Sequence, residues 1–115
     1  MPKPGHIAYV QLPNTDLTQG KNRPVLVLGK CPGKFDDWLI CPVSSRQYQA
    51  TPGVDELVNA SDADYTATGL AVPSVIRICR LAVVEGSLLI GAIGSVDAAR
   101  LARVLASLRK WITNL

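Results

Sequence analysis

"GKNRPVLVLGK", Gly20 to Lys30, is the stretch on which the fold turns. Val25, Leu26, Val27 and Leu28 run without a polar break between a proline and a glycine. That is the pattern of a strand buried on both faces. Proline is tolerated at the first position of a strand, where its missing N–H costs little. Lys21, Asn22 and Arg23 are therefore expected at the mouth of a core strand, with Arg23 beside a rigid neighbour. Arg23 is then either a solvated strand-edge charge or a cation fixed where an anion must be held.

Working outward, Ile7 to Leu12 alternates as a strand, with Ile7, Tyr9 and Gln11 on one side and Ala8, Val10 and Leu12 on the other. Further strands are expected at Trp38–Val43, Val54–Val58 and Leu88–Ile93, with a long one at Ser74–Val84 bent near Arg80. "ASDADYTATG" carries both helix and turn features and decides for neither. Ser95 is a suitable helix N-cap, with Asp97 in the first turn. Leu101, Val104, Leu105, Leu108, Trp111, Ile112 and Leu115 then fall on one helical face, and Asp97, Arg100, Arg103, Ser107, Lys110 and Asn114 on the other. Several strands followed by one amphipathic helix make an α+β, mainly β domain.

The bulk numbers agree. With 115 residues, 48% hydrophobic and 18% charged, one domain can bury a real core. A net charge of +3 admits a nucleic-acid partner without requiring one. Cys31, Cys41 and Cys79 have no CxxC spacing and stand with a single histidine, so no conventional zinc site is expected. Scattered thiols fit a reducing cytoplasm. The longest nearly apolar stretch, Leu81 to Gly94, carries Glu85 and falls short of the roughly 20 residues of a membrane span.

Polar residues gather at the ends of the expected strands: Lys21, Asn22 and Arg23 before one, Ser44, Ser45 and Arg46 after another. If those two strands pair antiparallel, Arg23 and Ser44 become neighbours. Arg77 and Cys79, two apart, would share one face of the Ser74–Val84 strand.

Five segments in order resemble the MazF/PemK (Kid) toxin family: "GHIAYVQLP", "GKNRPVLVLGK", "WLICPVSSR", "TGLAVPSVIRICRL" and "IGAIGSVDAARLARVLASL". The resemblance covers nearly the whole chain. It implies a small SH3-like β-barrel with a C-terminal helix, usually a homodimer. It further implies a toxin of a type II toxin–antitoxin system, a metal-independent endoribonuclease without cofactor. Such an enzyme cleaves single-stranded RNA through a 2′,3′-cyclic phosphate and is blocked by a cognate antitoxin, touching DNA only through the antitoxin complex. By the same resemblance Arg23, Ser44 and Arg77 are the catalytic set. Lys21, Asn22, Ser45, Arg46, Thr18 and Cys79 are the substrate-binding set.

The chain departs from the family pattern at several of these positions. Ser44 stands where the family has threonine, keeping the hydroxyl and losing the methyl that restrains χ1. The acid many members carry falls at Thr18, with Asp16 the nearest carboxylate, and the acid of the PemK branch falls at Cys79. Each position also has a plainer reading: turn formation for Ser44 and Ser45, a salt bridge for Arg77, a small buried hydrophobe for Cys79 and Cys41. Two alternative functions follow. One is a CcdB-like gyrase-binding toxin acting through Trp111–Leu115; the other is a decayed homologue that binds its antitoxin and cuts nothing.

Overall fold

The computed structural model describes residues 1–11 and 22–115. Among the described residues seven strands follow one another: β1 (His6–Gln11), β2 (Asn22–Lys30), β3 (Asp37–Ser44), β4 (Glu56–Val58), β5 (Ser74–Ile76), β6 (Ala82–Glu85) and β7 (Leu89–Ser95). A one-turn helix α1 (Tyr65–Thr68) precedes β5, and α2 (Ala98–Thr113) closes the chain. All strand pairs are antiparallel, in the order β4-β5-β3-β2-β1-β7, with β6 added to β3. The mainly β domain with a C-terminal helix is as expected, but the sheet is not a closed barrel. Among the described residues β4 and β7 end the path, and β6 is a further outer strand on β3.

Strand β2 is central and buried on both faces. Leu26 and Leu28 join Ile7, Cys41, Val43, Ile76 and the α2 residues Val104 and Leu108 in one cluster. Val25 and Val27 join Ala8, Val10, Trp38, Ile40 and Val84 on the other side. The continuous apolar run is thereby explained, since each residue has a core to face. Burying such side chains contributes about 1.5–3 kcal/mol each.

Pro24 is not the first residue of its strand, as expected, but the third. It sits opposite Tyr9 of β1. On its other side the β2–β3 ladder ends at Val25 paired with Pro42. A proline donates no ladder hydrogen bond. Pro24 and Pro42 thus mark the point where β2 and β3 stop pairing, and the two strands open beyond it.

The expected strand Ser74–Val84 is two strands. Strand β5 ends at Ile76, and residues 77–81 leave the sheet before β6. The cause lies elsewhere in the chain: the Arg77 N–H still donates to the Pro42 carbonyl of β3 at 2.9 Å, but the next amide, Ile78, donates to Asp55 Oδ1 at 3.0 Å. Arg77 and Cys79 therefore do not share a strand face. Outer-edge pairing of β3 is divided, with Asp37–Ile40 against β6 and Val43–Ser44 against β5.

Ser95 ends β7 instead of capping α2. The cap is Asp97, whose Oδ1 accepts from the Arg100 N–H at 2.8 Å. "ASDADYTATG" resolves into turns and α1, which ends on Gly69 in the left-handed region at φ 73°. A side chain at Gly69 would strike the Ile93 carbonyl, and one at Gly94 the backbone of Ala67 and Thr68. That close approach is the physical content of the "IG" before the terminal helix. Among the described residues no helix is long and apolar enough to cross a membrane.

Candidate functional site

Where the β2–β3 ladder opens, a groove of about 650 Å³ forms. Its lining includes Tyr9, Asn22, Arg23, Ser44, Ser45, Arg46 and Gln49, with Leu70, Ala71, Val72 and Ile93 on the apolar wall. Five of the residues singled out in the sequence, Asn22, Arg23, Ser44, Ser45 and Arg46, are thus brought to one place. The inferred antiparallel pairing of β2 and β3 is what brings them there.

Arg23 and Arg46 are both exposed. Neither side chain has a hydrogen-bond or ion-pair partner among the described residues. No carboxylate and no histidine stands among the described residues of the lining. Two guanidinium groups with no neutralising partner among the described residues, in one lining with the Ser44 and Ser45 hydroxyls, favour an anion.

Ser44 serves the turn and the groove together. Its Oγ accepts the Arg46 N–H at 3.1 Å, a local hydroxyl-to-backbone bond, and donates to Gln49 Oε1 at 3.4 Å. Ser45 is exposed in the same lining.

Arg77 is placed behind the groove and is not part of its lining. Its Nη1 donates to Gln49 Oε1 at 3.2 Å. Its Nε lies 3.2 Å from Asp55 Oδ2 as an ion pair without a well-directed hydrogen bond. The Asp55 side chain is only 3% exposed and also accepts from the Thr51 and Ile78 amides. The salt-bridge reading of Arg77 accordingly has a partner.

Cys79 is exposed in the turn after β5. Local desolvation, followed by the Asp55 charge, raises its thiol pKa above the ordinary value, against a smaller lowering by Arg77. A thiol shifted that way is a poor stand-in for a basic carboxylate, and it is not the buried hydrophobe of the plainer reading. Cys41 is buried, and desolvation with Asp55 pushes it up to about 12. Thr18 and Lys21, with Asp16, lie outside the described residues.

Two residues escaped the sequence reading. Gln49, in the 3-10 turn Gln47–Gln49, joins Ser44 to Arg77. Arg100, expected on the solvent face of α2, is 3% exposed and is surrounded by Glu56, Asp62 and Asp64. Its signal was the run Asp55 to Asp64, which holds four carboxylates and no cation. A second concavity lies over this cluster, lined by Glu56, Asp62, Asp64 and Asp97 as well as Arg100 and Arg103. Its acids outnumber its cations, whereas the concavity at Arg23 has cations and no acid among its described lining residues.

The model of the family described as "PemK-like, MazF-like toxin of type II toxin-antitoxin system" matches residues 3–112. The fold is shared with the Mycobacterium tuberculosis toxin MazF-mt6 at 19% identity and TM-score 0.68, over 94% of this chain and 96% of that one. MazF from Deinococcus radiodurans is similar at 24% identity and TM-score 0.69, over 97% and 96% of the two chains. An endoribonuclease in complex with its cognate antitoxin, from a mycobacterial species, is similar at 13% identity and TM-score 0.70, over 98% and 96%. No curated protein matches the chain.

Proposed function

Because the chain belongs to the PemK-like, MazF-like family of toxins of type II toxin–antitoxin systems, we propose that it is an endoribonuclease cutting single-stranded RNA in the Arg23 groove. The observation that carries this reading is a groove lining that holds Arg23 and Arg46, both without a partner among the described residues, together with Ser44 and Ser45 and no carboxylate among the described residues.

In the proposed reaction the 2′-oxygen attacks the adjacent phosphorus in line with the 5′-oxygen. The new P–O bond closes a 2′,3′-cyclic phosphate as the P–O5′ bond breaks. The 2′-OH proton passes to solvent, and the departing 5′-oxygen takes a proton from solvent. Negative charge grows on the non-bridging oxygens, where Arg23 meets it, while Arg46 holds the RNA backbone. Asn22 and Ser45 add neutral donors along the strand. The residues do this work without a metal or cofactor. A cognate antitoxin covering the groove, and assembly as a homodimer in the cytoplasm, complete the reading; DNA is reached only through the antitoxin complex.

The absence of a histidine or carboxylate from the described lining favours a second reading, in which RNA is held and left uncut. One experiment separates them. Defined single-stranded RNA is incubated in excess EDTA with wild type and with Arg23→Ala. Cutting by the wild type alone supports the nuclease. Intact RNA with both, bound in a salt-dependent way by the wild type, supports the binding protein.

A further inference from the structure

Gln49 lines the groove, and its side chain also touches the ion pair behind it. Its Oε1 accepts from Ser44 Oγ at 3.4 Å and from Arg77 Nη1 at 3.2 Å. A guanidinium can only donate, so the amide oxygen must be the atom that faces Arg77. The usual ambiguity between amide oxygen and nitrogen is therefore settled by chemistry. Nε2, the donor end, points away from Arg77 and has no hydrogen-bond partner among the described residues.

The support behind this amide is fixed. Arg77 is held by Asp55 at 3.2 Å and through its own N–H by the Pro42 carbonyl at 2.9 Å. The turn that carries Gln49 is pinned by Gln47, whose Nε2 donates to Asn59 Oδ1 at 2.9 Å and to the Ser74 carbonyl at 3.2 Å. A neutral donor with a fixed sense, in one lining with two cations that have no partner among the described residues, suits an oxygen acceptor on a polyanion.

Resting on the RNA reading above, we propose that Gln49 is a substrate-positioning residue that donates its amide N–H to an oxygen of the bound RNA. Arg77 is the residue that sets the sense of that amide, and it acts through Gln49 without touching the RNA. Phosphate oxygens and base carbonyls both present the required acceptor, and adenine has no carbonyl.

The test measures binding of short homopolymers of A, C and U to wild type, Gln49→Met, Arg77→Met and the double variant, with circular dichroism recording the fold of each. Gln49→Met is expected to bind about tenfold more weakly. Equal loss on all three homopolymers assigns the acceptor to the sugar–phosphate backbone; loss on C and U alone assigns it to base carbonyls. Gln49→Glu, which keeps the acceptor facing Ser44 and Arg77 and removes the donor, is expected to lose at least as much. Arg77→Met should match Gln49→Met, and the double variant should add nothing. Wild-type affinity in Gln49→Met overturns the proposal while leaving the RNA reading intact. Additive losses from Arg77 and Gln49 overturn the relay. A wild type that binds none of the three overturns the RNA reading and this one with it.

Discussion

Arg100 holds Asp64 with two hydrogen bonds, Nε to Oδ2 and Nη2 to Oδ1, each 2.8 Å long, and both side chains are almost fully buried. The same guanidinium reaches Asp62 at 2.8 Å, Glu56 at 3.3 Å and the Leu57 carbonyl at 2.7 Å. Asp64 also accepts the Asp97 N–H at 3.1 Å, so one carboxylate joins the start of α2 to the segment before α1. The cluster is a staple between the terminal helix and the β4 end of the sheet.

Arg100→Met is expected to destabilise the domain by about 3–5 kcal/mol, because it leaves Asp64 buried without its cation. Urea unfolding checks this through a lower midpoint at unchanged slope. A loss under about 1 kcal/mol, the size of an exposed pair, would mean the staple is not supporting the fold.

The same pair sets an acid limit. Hydrogen bonding from Arg100 outweighs burial and lowers the Asp64 pKa below its ordinary 3.8. A carboxylate with a depressed folded-state pKa contributes stability that is fully present above the unfolded value. That contribution is lost as pH falls through the folded value. Stability from Asp64 should therefore be flat from pH 5 to 8 and fall below about 3.8. Asp64→Asn should remove that acid-limb contribution while lowering stability at neutral pH. An unchanged acid limb in the variant would assign the loss to other groups.

Legibility in the sequence followed the range of the forces involved. Strand β2 was readable because Val25 to Leu28 has no polar interruption, and a two-faced core leaves that pattern directly in the chain. The meeting of Arg23 with Ser44 followed once β2 and β3 were paired. The break after Ile76 was hidden because its cause is the Asp55 carboxylate capturing the Ile78 amide, a contact between distant segments. A helical wheel places Arg100 with solvent because it assigns charge outward, and only the unmatched acids of Asp55 to Asp64 argue otherwise. Gln49 carried no signal at all, since its role depends on which donors the turn brings to its oxygen.

Cys79→Ala should cut RNA at the wild-type rate. The thiol is raised above its ordinary 9.0 by desolvation and Asp55, so at neutral pH it is protonated and neutral. Alkylation with iodoacetamide should be slow at pH 7 and keep accelerating through pH 9. A large drop in cleavage on Cys79→Ala, with fast alkylation at pH 7, would instead make the thiolate a working base.

Arg23 and Arg46 share a groove but should fail differently when removed. Arg23 sits where β2 emerges from its ladder, beside Pro24, and its backbone is fixed by pairing with Val10 of β1. A cation held there is suited to charge that develops during the reaction. Arg23→Ala is expected to lower kcat by about a hundredfold or more, the usual cost of losing one transition-state donor. Arg23→Lys should recover little of it, because an ammonium cannot make the two-pronged contact of a guanidinium. Arg46 lies after the strand, in a turn leading to Gln47, where it is suited to holding the RNA backbone. Arg46→Ala should chiefly raise KM and reduce the slope of log affinity against log salt by about 0.7, one phosphate contact on a single strand. The two effects are read from cleavage kinetics and from binding at several salt concentrations. An Arg23→Ala variant that loses only affinity, with kcat intact, would remove Arg23 from the chemistry and leave it as one more contact to the backbone.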